Sequence, residues 1–328
     1  MTGPVLAVQD LRVGFGTPQG LVSAVDGVSL SVGAGEVVGL VGESGCGKST
    51  LANALLGLLP GGAQVSGTAQ LDGEQLLGLE ESRLRRLRGD RISMIFQDPA
   101  TSLDPTFSVG EQVAETIRAH RRISRADARA QAVRLMSEVG IPDAARRYGD
   151  APHRFSGGMR QRIVIAAALA NQPAVLIADE PTTALDVTIQ AQILSLIAGL
   201  CRDQGTAVLL ITHDLGVVAQ VCDRVGVMYA GQLVEEAPVR RLFAEPQHPY
   251  TRALLGTLPT ADARPGGLTV IPGQVPDLSG PLPGCRFLDR CPRARAECPT
   301  RPDPVMVGET RVACWDVSAR LVPERAPS

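Results

Sequence analysis

The chain has 328 residues, a formal net charge of −2, 44% hydrophobic residues and 3% aromatic residues. This length predicts about two domains, or one large domain with an appendage, and the charge argues against nucleic acid as a partner. No apolar run approaches the ~20 residues of a membrane span. Residues 1–4 show neither the basic n-region nor the apolar h-region of an export signal. We therefore expect a cytoplasmic protein that meets a membrane only through partners.

The predicted elements begin with strands and turns in residues 5–41, followed by a helix that Pro60 ends. Helical periodicity then replaces strand signals in residues 99–172, and alternating strands and helices resume at 174–229. The predicted fold class is α/β, with a mainly parallel sheet, an antiparallel N-terminal β part and a helical insertion. Strands are predicted at 5–13, 21–32, 36–41, 174–178, 207–212 and 224–229, and helices at 50–59, 109–119, 125–139, 187–202 and 215–221.

The composition shifts at 259–284, where 26 residues hold six prolines and five glycines. Neither a continuous helix nor a central strand tolerates so many. We therefore expect a linker that leads to a small cysteine-bearing tail. The predicted division is a main domain at 1–258, with a helical subdomain at about 99–172, and a C-terminal extension at 259–328.

Residues 42–49 match G-x-x-x-x-G-K-[ST], the phosphate-binding P-loop, with a predicted strand before them and a helix after. Glycines let successive N–H groups turn inward around phosphate oxygens, and the helix N-terminus adds partial positive charge. Lys48 is expected to reach the β- and γ-phosphates of a nucleotide, and the Ser49 hydroxyl to ligate Mg²⁺. A chance glycine-rich turn is the alternative. The nucleotide-binding residues predicted here are Gly42, Glu43, Ser44, Gly45, Cys46, Gly47, Lys48, Ser49 and Thr50.

A second constellation is the apolar strand that ends in Asp179 and Glu180. Two carboxylates at the end of a buried strand must be solvated or paired. Beside a P-loop, Asp179 is expected to hold Mg²⁺ and Glu180 to polarise the water that attacks the γ-phosphate. An acid pair that only caps the following turn is the alternative.

A second anion site is predicted where Ser156 begins a helix, because serine is a good N-cap and Gly157 and Gly158 permit close backbone approach. The P-loop of the same chain already accounts for one triphosphate. Phe15, at the end of the first strand, is either an adenine-stacking platform or a core residue at a sheet edge, and the sequence favours neither.

The order and spacing of these motifs resemble the nucleotide-binding subunit of an ABC transporter over residues 5 to about 240. Met159 stands where this family usually has glutamine, so one side-chain contact to nucleotide is in question. By resemblance Lys48, Gln97, Glu180 and His213 are catalytic, and Gln97 joins Ser49 and Asp179 at Mg²⁺. The resemblance identifies Gln97 with the Q-loop, Ser156, Gly157, Gly158 and Met159 with the signature motif, Asp179 and Glu180 with Walker B, Asp186 with the D-loop and His213 with the switch histidine.

A narrower resemblance, to the oligopeptide/dipeptide-importer branch, covers nearly the whole chain to Trp315. It is carried by 97–105, His248-Pro249-Tyr250-Thr251, Ile271-Pro272-Gly273 and 284–314. This branch implies a head-to-tail dimer with a second, related ATPase, in which each ATP lies between the P-loop of one subunit and the signature motif of the other. It also implies two membrane permeases, an extracytoplasmic substrate-binding protein and a place on the cytoplasmic face of the membrane.

The tail carries four of the seven cysteines, Cys285, Cys291, Cys298 and Cys314, in the spacing C-x₅-C-x₆-C-x₁₅-C. In a reducing cytosol such clusters bind metal more often than they form disulfides. Four thiolates suit zinc or an iron–sulfur cluster, but structural zinc sites typically use C-x₂₋₄-C pairs, and none occurs here. The importer resemblance implies a [4Fe–4S] cluster; zinc and disulfides are the alternatives.

Two other functions fit parts of the sequence: a soluble ABC ATPase that acts on ribosomes or DNA, and a redox-sensing interaction module that ATP regulates. The first usually has two fused nucleotide domains or a long coiled-coil insertion, and neither is present. Intact Glu180 and His213 argue against the second. The transported substrate binds other subunits, so this sequence does not identify it.

Overall fold

The computed structural model describes residues 3–18, 20–97, 102–182, 186–258, 271–280, 282 and 284–321, except for the side chains of Val187 and Thr188. The predicted linker residues 259–270 and the motif residues Asp98, Pro99, Ala184 and Leu185 lie outside this part. The chain forms two compact units. Unit 1 comprises Met1–Ala7, Ser31–Val37 and Gln70–Ile211, and unit 2 comprises Val8–Leu30, Val38–Ala69 and Thr212–Ser328. The predicted domain boundary at 258 stays a prediction.

Strands and helices alternate along much of the described chain. The strands are β1 (Leu6–Thr17), β2 (Gly20–Val32), β3 (Val37–Val41), β4 (Gln64–Leu71), β5 (Glu74–Gln75), β6 (Ile92–Ile95), β7 (Val175–Asp179), β8 (Ala207–Ile211), β9 (Arg224–Tyr229), β10 (Gln232–Pro238), β11 (Val305–Val307) and β12 (Thr310–Val312). The α-helices are α1 (Lys48–Leu55), α2 (Glu81–Leu87), α3 (Val109–His120), α4 (Arg125–Glu138), α5 (Ala144–Arg147), α6 (Gly157–Ala168), α7 (Val187–Gln204), α8 (Leu215–Val221), α9 (Val239–Ala244), α10 (Pro249–Gly256) and α11 (Trp315–Leu321).

In unit 1, β6, β7 and β8 form a parallel sheet. Ile92 of β6 pairs with Val175 of β7, which pairs on its other side with Ala207 of β8. Every residue of β7 and β8 is buried, as expected for parallel strands covered on both faces. This packing fixes the carboxyl end of β7, where the paired acids lie.

Helices α3, α4, α5 and α6 of unit 1 form the helical insertion that the sequence predicts. Three of them begin at a serine, Ser108, Ser124 or Ser156, whose side chain accepts a hydrogen bond from the backbone N–H three residues on. Such N-caps satisfy one of the otherwise unpaired N–H groups of a first helical turn. The mainly helical character of this segment is confirmed, and its bounds as a subdomain stay a prediction.

In unit 2, the cysteine-bearing tail is built into a sheet. Strand β3 pairs in parallel with β9, which pairs antiparallel with β10, and β10 then pairs with β12 of the tail. The register places Glu235 opposite Val312 and Glu236 opposite Arg311. The N-terminal sheet, in which β1 lies between β2 and β4, is antiparallel as predicted.

Three aromatic side chains hold the centre of unit 2. Tyr229 ends β9, Tyr250 lies on α10 and Phe287 belongs to the tail, and all three are fully buried. Their ring centroids are 4.6 Å apart for Tyr229–Tyr250, 5.2 Å for Tyr229–Phe287 and 5.4 Å for Tyr250–Phe287. Tilted pairs at such distances are favourable beyond their buried area. The tail is therefore anchored by its own aromatic residue.

The structure corrects several sequence predictions. The helix predicted at 50–59 runs from Lys48 to Leu55, because Gly57 takes a φ of +63° and ends the helical turn well before Pro60. Strands β4 and β10 and the hairpin of β11 and β12 were not predicted. Strand β10 escaped prediction because it places two carboxylates, Glu235 and Glu236, at buried positions.

The His248-Pro249-Tyr250 sequence forms the start of α10. The Glu235 carboxylate accepts hydrogen bonds from the backbone N–H groups of Gln247 and His248, each 2.8 Å long. His248 is the N-cap, and its Nδ1 accepts from the Tyr250 N–H at 3.0 Å. Burial lowers the pKa of His248 from 6.5 to about 3, so the imidazole stays neutral in the folded protein.

The first prediction concerns pH. Because the unfolded chain protonates His248 near its ordinary pKa of 6.5 and the folded chain near 3, the free energy of unfolding should fall as pH falls below 6.5. His248→Asn keeps an N-capping side chain and removes this titration. Between pH 6.5 and 4.5, denaturant titration should show the native chain losing roughly 1–3 kcal/mol more than the variant. Parallel pH profiles for the two proteins would contradict the assignment.

Candidate functional site

The P-loop between β3 and α1 needs glycine at two positions. Gly42 has a φ of +152°, and a Cβ there would lie 2.1 Å from the Met228 carbonyl oxygen. Gly47 has a φ of +100°, and its Cβ would lie 2.2 Å from the Ala24 carbonyl oxygen. Since real Cβ atoms do not approach oxygen so closely, no other residue fits either position without moving the backbone. The loop geometry predicted from the motif is thus supported by packing within unit 2.

Lys48 is buried at the start of α1. Its Nζ donates to the carbonyl oxygens of Gly42 at 2.8 Å and Glu43 at 3.1 Å, and contacts the Cys46 sulfur at 3.4 Å. Burial raises the pKa of the Cys46 thiol, so this neighbour stays neutral and does not compete for the ammonium charge. Lys48 therefore presents a cation inside a loop of backbone N–H groups at a helix N-terminus, an arrangement suited to phosphate.

Unit 1 brings two predicted residues together at the end of β7. Gln97 Nε2 donates to Glu180 Oε2 at 2.9 Å. The Glu180 N–H donates to the Ile211 carbonyl at 2.8 Å, and its φ of +45° lies in the left-handed region that a glutamate rarely adopts. Such outliers cluster at functional positions, where the surrounding structure holds them. Asp179 is 6% exposed and ends the buried strand.

The predicted second anion site lies at the start of α6, also in unit 1. Ser156 is exposed and caps the helix by accepting from the Met159 N–H at 3.4 Å. A Cβ on Gly158 would come within 3.0 Å of Ile189. The sulfur of Met159, where the family usually has glutamine, accepts a 3.4 Å contact from Arg147. The Ser156 hydroxyl is therefore presented at the surface, while the Met159 side chain is engaged inside its own unit.

The remaining predicted site residues are placed as follows. Asp186 is exposed and is the N-cap of α7, accepting from the Ile189 N–H at 2.9 Å. His213 is exposed shortly after β8, and Ser49 is exposed in the first turn of α1. Phe15 is half-buried on β1, which fits both of the roles proposed for it. Contacts of these residues with nucleotide stay predictions.

The four tail cysteines are free thiols, of which Cys298 and Cys314 are buried and Cys285 and Cys291 are half-buried. Among the described residues, no group of three His, Cys, Asp or Glu side chains is close enough to hold one metal ion. Burial first, and then the neighbouring thiols Cys298, Cys314 and Cys291, raise the pKa of Cys285 to about 11, so the four lie within electrostatic reach of one another. Four cysteine thiols are a donor set that suits either zinc or an iron–sulfur cluster.

The sequence reasoning missed two side chains that hold Glu43 of the P-loop. The Tyr250 hydroxyl accepts from the Glu43 backbone N–H at 3.0 Å, and Arg290 Nη1 contacts Glu43 Oε2 at 3.1 Å. Tyr250 lies in a segment noted only for its resemblance to a transporter branch, and Arg290 lies between two of the tail cysteines. No spacing signal connects them to a loop more than 200 positions earlier.

A P-loop before a helix and paired acids after a buried parallel strand define a P-loop nucleotide hydrolase. Comparison with known proteins narrows this class. The family model described as ABC transporter matches residues 25–183, and the model described as oligopeptide/dipeptide transporter, C-terminal region, matches residues 234–298. The chain belongs to the ABC transporter family, as an ATP-binding subunit with ATPase activity.

Two relatives match over almost their whole length. The dipeptide transport ATP-binding protein DppD of Bacillus subtilis is 50% identical, covering 95% of this chain and 94% of the relative. The oligopeptide transport ATP-binding protein OppD of Escherichia coli is 49% identical, with 91% and 88% covered. The transporter function predicted from the motifs is confirmed, and the ribosome-acting and redox-sensing alternatives are not favoured.

A solved structure supports the fold. The dimeric, post-hydrolysis structure of the ATP-binding cassette MJ0796, bound to ADP and Pi, has a TM-score of 0.64 and 28% sequence identity. It matches 72% of this chain and 99% of the cassette chain. No helix in the described part of this chain is long and apolar enough to cross a membrane.

The second prediction separates the two anion sites. Lys48→Ala removes a cation from the P-loop and should weaken ATP binding to the isolated full-length chain by about 10-fold or more. Ser156→Ala should leave that affinity within twofold and instead impair ATP-dependent dimerisation, measured by light scattering with the partner ATPase. Ser108→Ala is the matched control, because it removes the N-cap of α3, whose hydrogen bond from the Glu111 N–H is also 3.4 Å long. Equal losses of isolated-chain affinity in the Lys48 and Ser156 variants would contradict two separate sites.

Proposed function

We propose that this chain is the ATPase subunit of an importer for di- or oligopeptides. The observation that carries the proposal is the match of residues 234–298 to the oligopeptide/dipeptide transporter C-terminal region, next to the ABC transporter match. The names of the relatives, dipeptide and oligopeptide transport ATP-binding proteins, support the same substrate class. Two membrane permeases and an extracytoplasmic binding protein complete the transporter, and this chain sits on the cytoplasmic face of the membrane.

The site residues divide the chemistry among them. Lys48 and the N–H groups of residues 42–50 bind the triphosphate, for which the buried ammonium and the glycine-dependent loop are suited. Glu180 orients and polarises the attacking water, and Gln97, at 2.9 Å from its carboxylate, holds that carboxylate in place. Ser49, Gln97 and Asp179 would hold Mg²⁺, which neutralises charge on the phosphates. Phe15 and His213 contact the adenine and the γ-phosphate respectively.

The signature residues serve the ATP of a second ATPase. Ser156 is exposed at a helix start and so can donate to a ligand held by another subunit. The dimeric form of the MJ0796 cassette supports such an arrangement. We propose a head-to-tail dimer with a related, non-identical ATPase, in which Asp186 lies near the shared surface. Gln97, next to the helical insertion, passes nucleotide-dependent movement to the permeases.

The tail holds a [4Fe–4S] cluster in this proposal. Its ligands would be Cys285, Cys291, Cys298 and Cys314. Four thiols within electrostatic reach of one another, in a spacing that lacks the C-x₂₋₄-C pairs typical of structural zinc, support this choice. The cluster would be structural or redox-responsive and takes no part in ATP hydrolysis.

The third prediction tests the catalytic assignment. Glu180→Gln keeps the shape of the side chain, but an amide cannot act as a general base. In transporter reconstituted with its permeases, steady-state ATPase and peptide uptake should fall by about 10²–10⁴-fold, while MgATP binding persists. Glu81→Gln, on the exposed side of α2, is the control for loss of one carboxylate. Turnover within twofold of the native rate would overturn the role of Glu180.

The fourth prediction concerns the metal content of the tail. Full-length protein purified without oxygen should be brown and contain about four iron and four labile sulfide per chain. Cys291→Ser should lose most of both, whereas Cys222→Ser, a cysteine outside the tail, should retain them. One zinc per chain without labile sulfide would show that the cluster assignment is wrong.

A further inference from the structure

Arg290 links the cysteine-bearing tail to the P-loop. It ends a short 3₁₀ turn, Leu288–Arg290, immediately before Cys291. Its side chain is 6% exposed and extends to Glu43, the second residue of the P-loop motif. The contact brings a cation of the tail to the one carboxylate of the P-loop motif.

The guanidinium is fixed from several sides. Its Nε donates to the Pro272 carbonyl at 2.8 Å, and its Nη1 donates to the Tyr229 hydroxyl and to Glu43 Oε2, each at 3.1 Å. The charge also lies 5.6 Å from the centroid of the Tyr229 ring. Because the arginine is held independently of Glu43, it can act as a fixed point for the loop.

Glu43 is held at all three of its polar groups. Its N–H donates to the Tyr250 hydroxyl at 3.0 Å, its carbonyl accepts from Lys48 Nζ at 3.1 Å, and its carboxylate pairs with Arg290. The second carboxylate oxygen, Oε1, is buried without a hydrogen-bond partner. The charge of Glu43 therefore depends on Arg290 for its compensation.

This dependence has a consequence for nucleotide binding. A carboxylate in a phosphate-binding loop repels a triphosphate unless a cation neutralises it. Paired with Arg290, Glu43 adds little net charge to the loop. Without Arg290, the half-buried carboxylate would be left uncompensated beside Lys48 and would reorient toward that ammonium, which is needed for phosphate.

We propose that Arg290 is a positioning residue for the P-loop, through which the folded tail sets the affinity of this subunit for ATP. Arg290 does not touch nucleotide in this account; it acts by neutralising and orienting Glu43. The inference rests on the proposed ATP-binding role of the P-loop. It makes an intact tail a condition for full nucleotide affinity.

The fifth prediction tests this link by charge removal and rescue. In the full-length chain, Arg290→Met should weaken MgATP binding about 10-fold, measured by calorimetry. The double variant Glu43→Gln/Arg290→Met also removes the carboxylate that Arg290→Met leaves unpaired. It should recover most of the lost affinity. Arg293→Met is the control, because Arg293 is a tail arginine that pairs with Asp316 and not with the P-loop. This variant should bind MgATP with the affinity of the native chain. In the assembled transporter the Arg290 variant should show a raised KM for ATP at nearly unchanged kcat.

The outcomes distinguish the inference from simpler roles. If Arg290→Met lowers the melting temperature but leaves MgATP affinity unchanged, Arg290 only stabilises the tail. If affinity falls and the double variant does not recover it, the loss comes from misfolding and not from the charge of Glu43. Either result would overturn the proposal. If the native chain itself fails to bind MgATP, the proposed function fails before the inference is reached.

Discussion

The nucleotide loop depends on close approach between backbone segments. The carbonyl oxygens of Met228 and Ala24 occupy the space where side chains of residues 42 and 47 would begin. This contact ties the loop to the end of β9 and to β2, so the position of Lys48 is set by strands and not by the loop alone. The aromatic group of Tyr229, Tyr250 and Phe287 then packs behind the same end of β9. Loop, strand end and tail thus form one packed region of unit 2.

Much of this arrangement was predictable from the sequence, because its signals are local. Strand periodicity located β3, β7, β8 and β9 to within a few residues, and the spacing of the P-loop motif identified Lys48. Helix α1 was predicted too long because a proline is a stronger visible stop than Gly57, which ends the helix through its left-handed conformation. The pairing of Glu43 with Arg290 could not be predicted, since nothing local shows which of many arginines reaches a loop 247 positions away.

Asp179 ends β7 and Glu180 follows it directly, so a regular strand leads into a residue with an unusual backbone conformation. Burial of the whole strand fixes Asp179, and the hydrogen bond from the Glu180 N–H to Ile211 continues the pairing with β8 by one residue. Glu180 then turns into the left-handed region, and its carboxylate meets Gln97. The orientation of this carboxylate thus follows from strand register, which sequence can suggest, and from one backbone dihedral, which it cannot.

The pairing of β12 with β10 has a consequence for synthesis of the chain. Strand β10 ends at Pro238, and its neighbour on that side begins only at Thr310. At ribosomal rates of about 5–20 residues per second, the β10 edge stays uncovered for on the order of 4–15 seconds after it emerges. An open edge is a template for pairing with other nascent chains. Strand β12 therefore closes this edge of the sheet late in synthesis, and a chain whose synthesis stops before Thr310 keeps the edge unprotected.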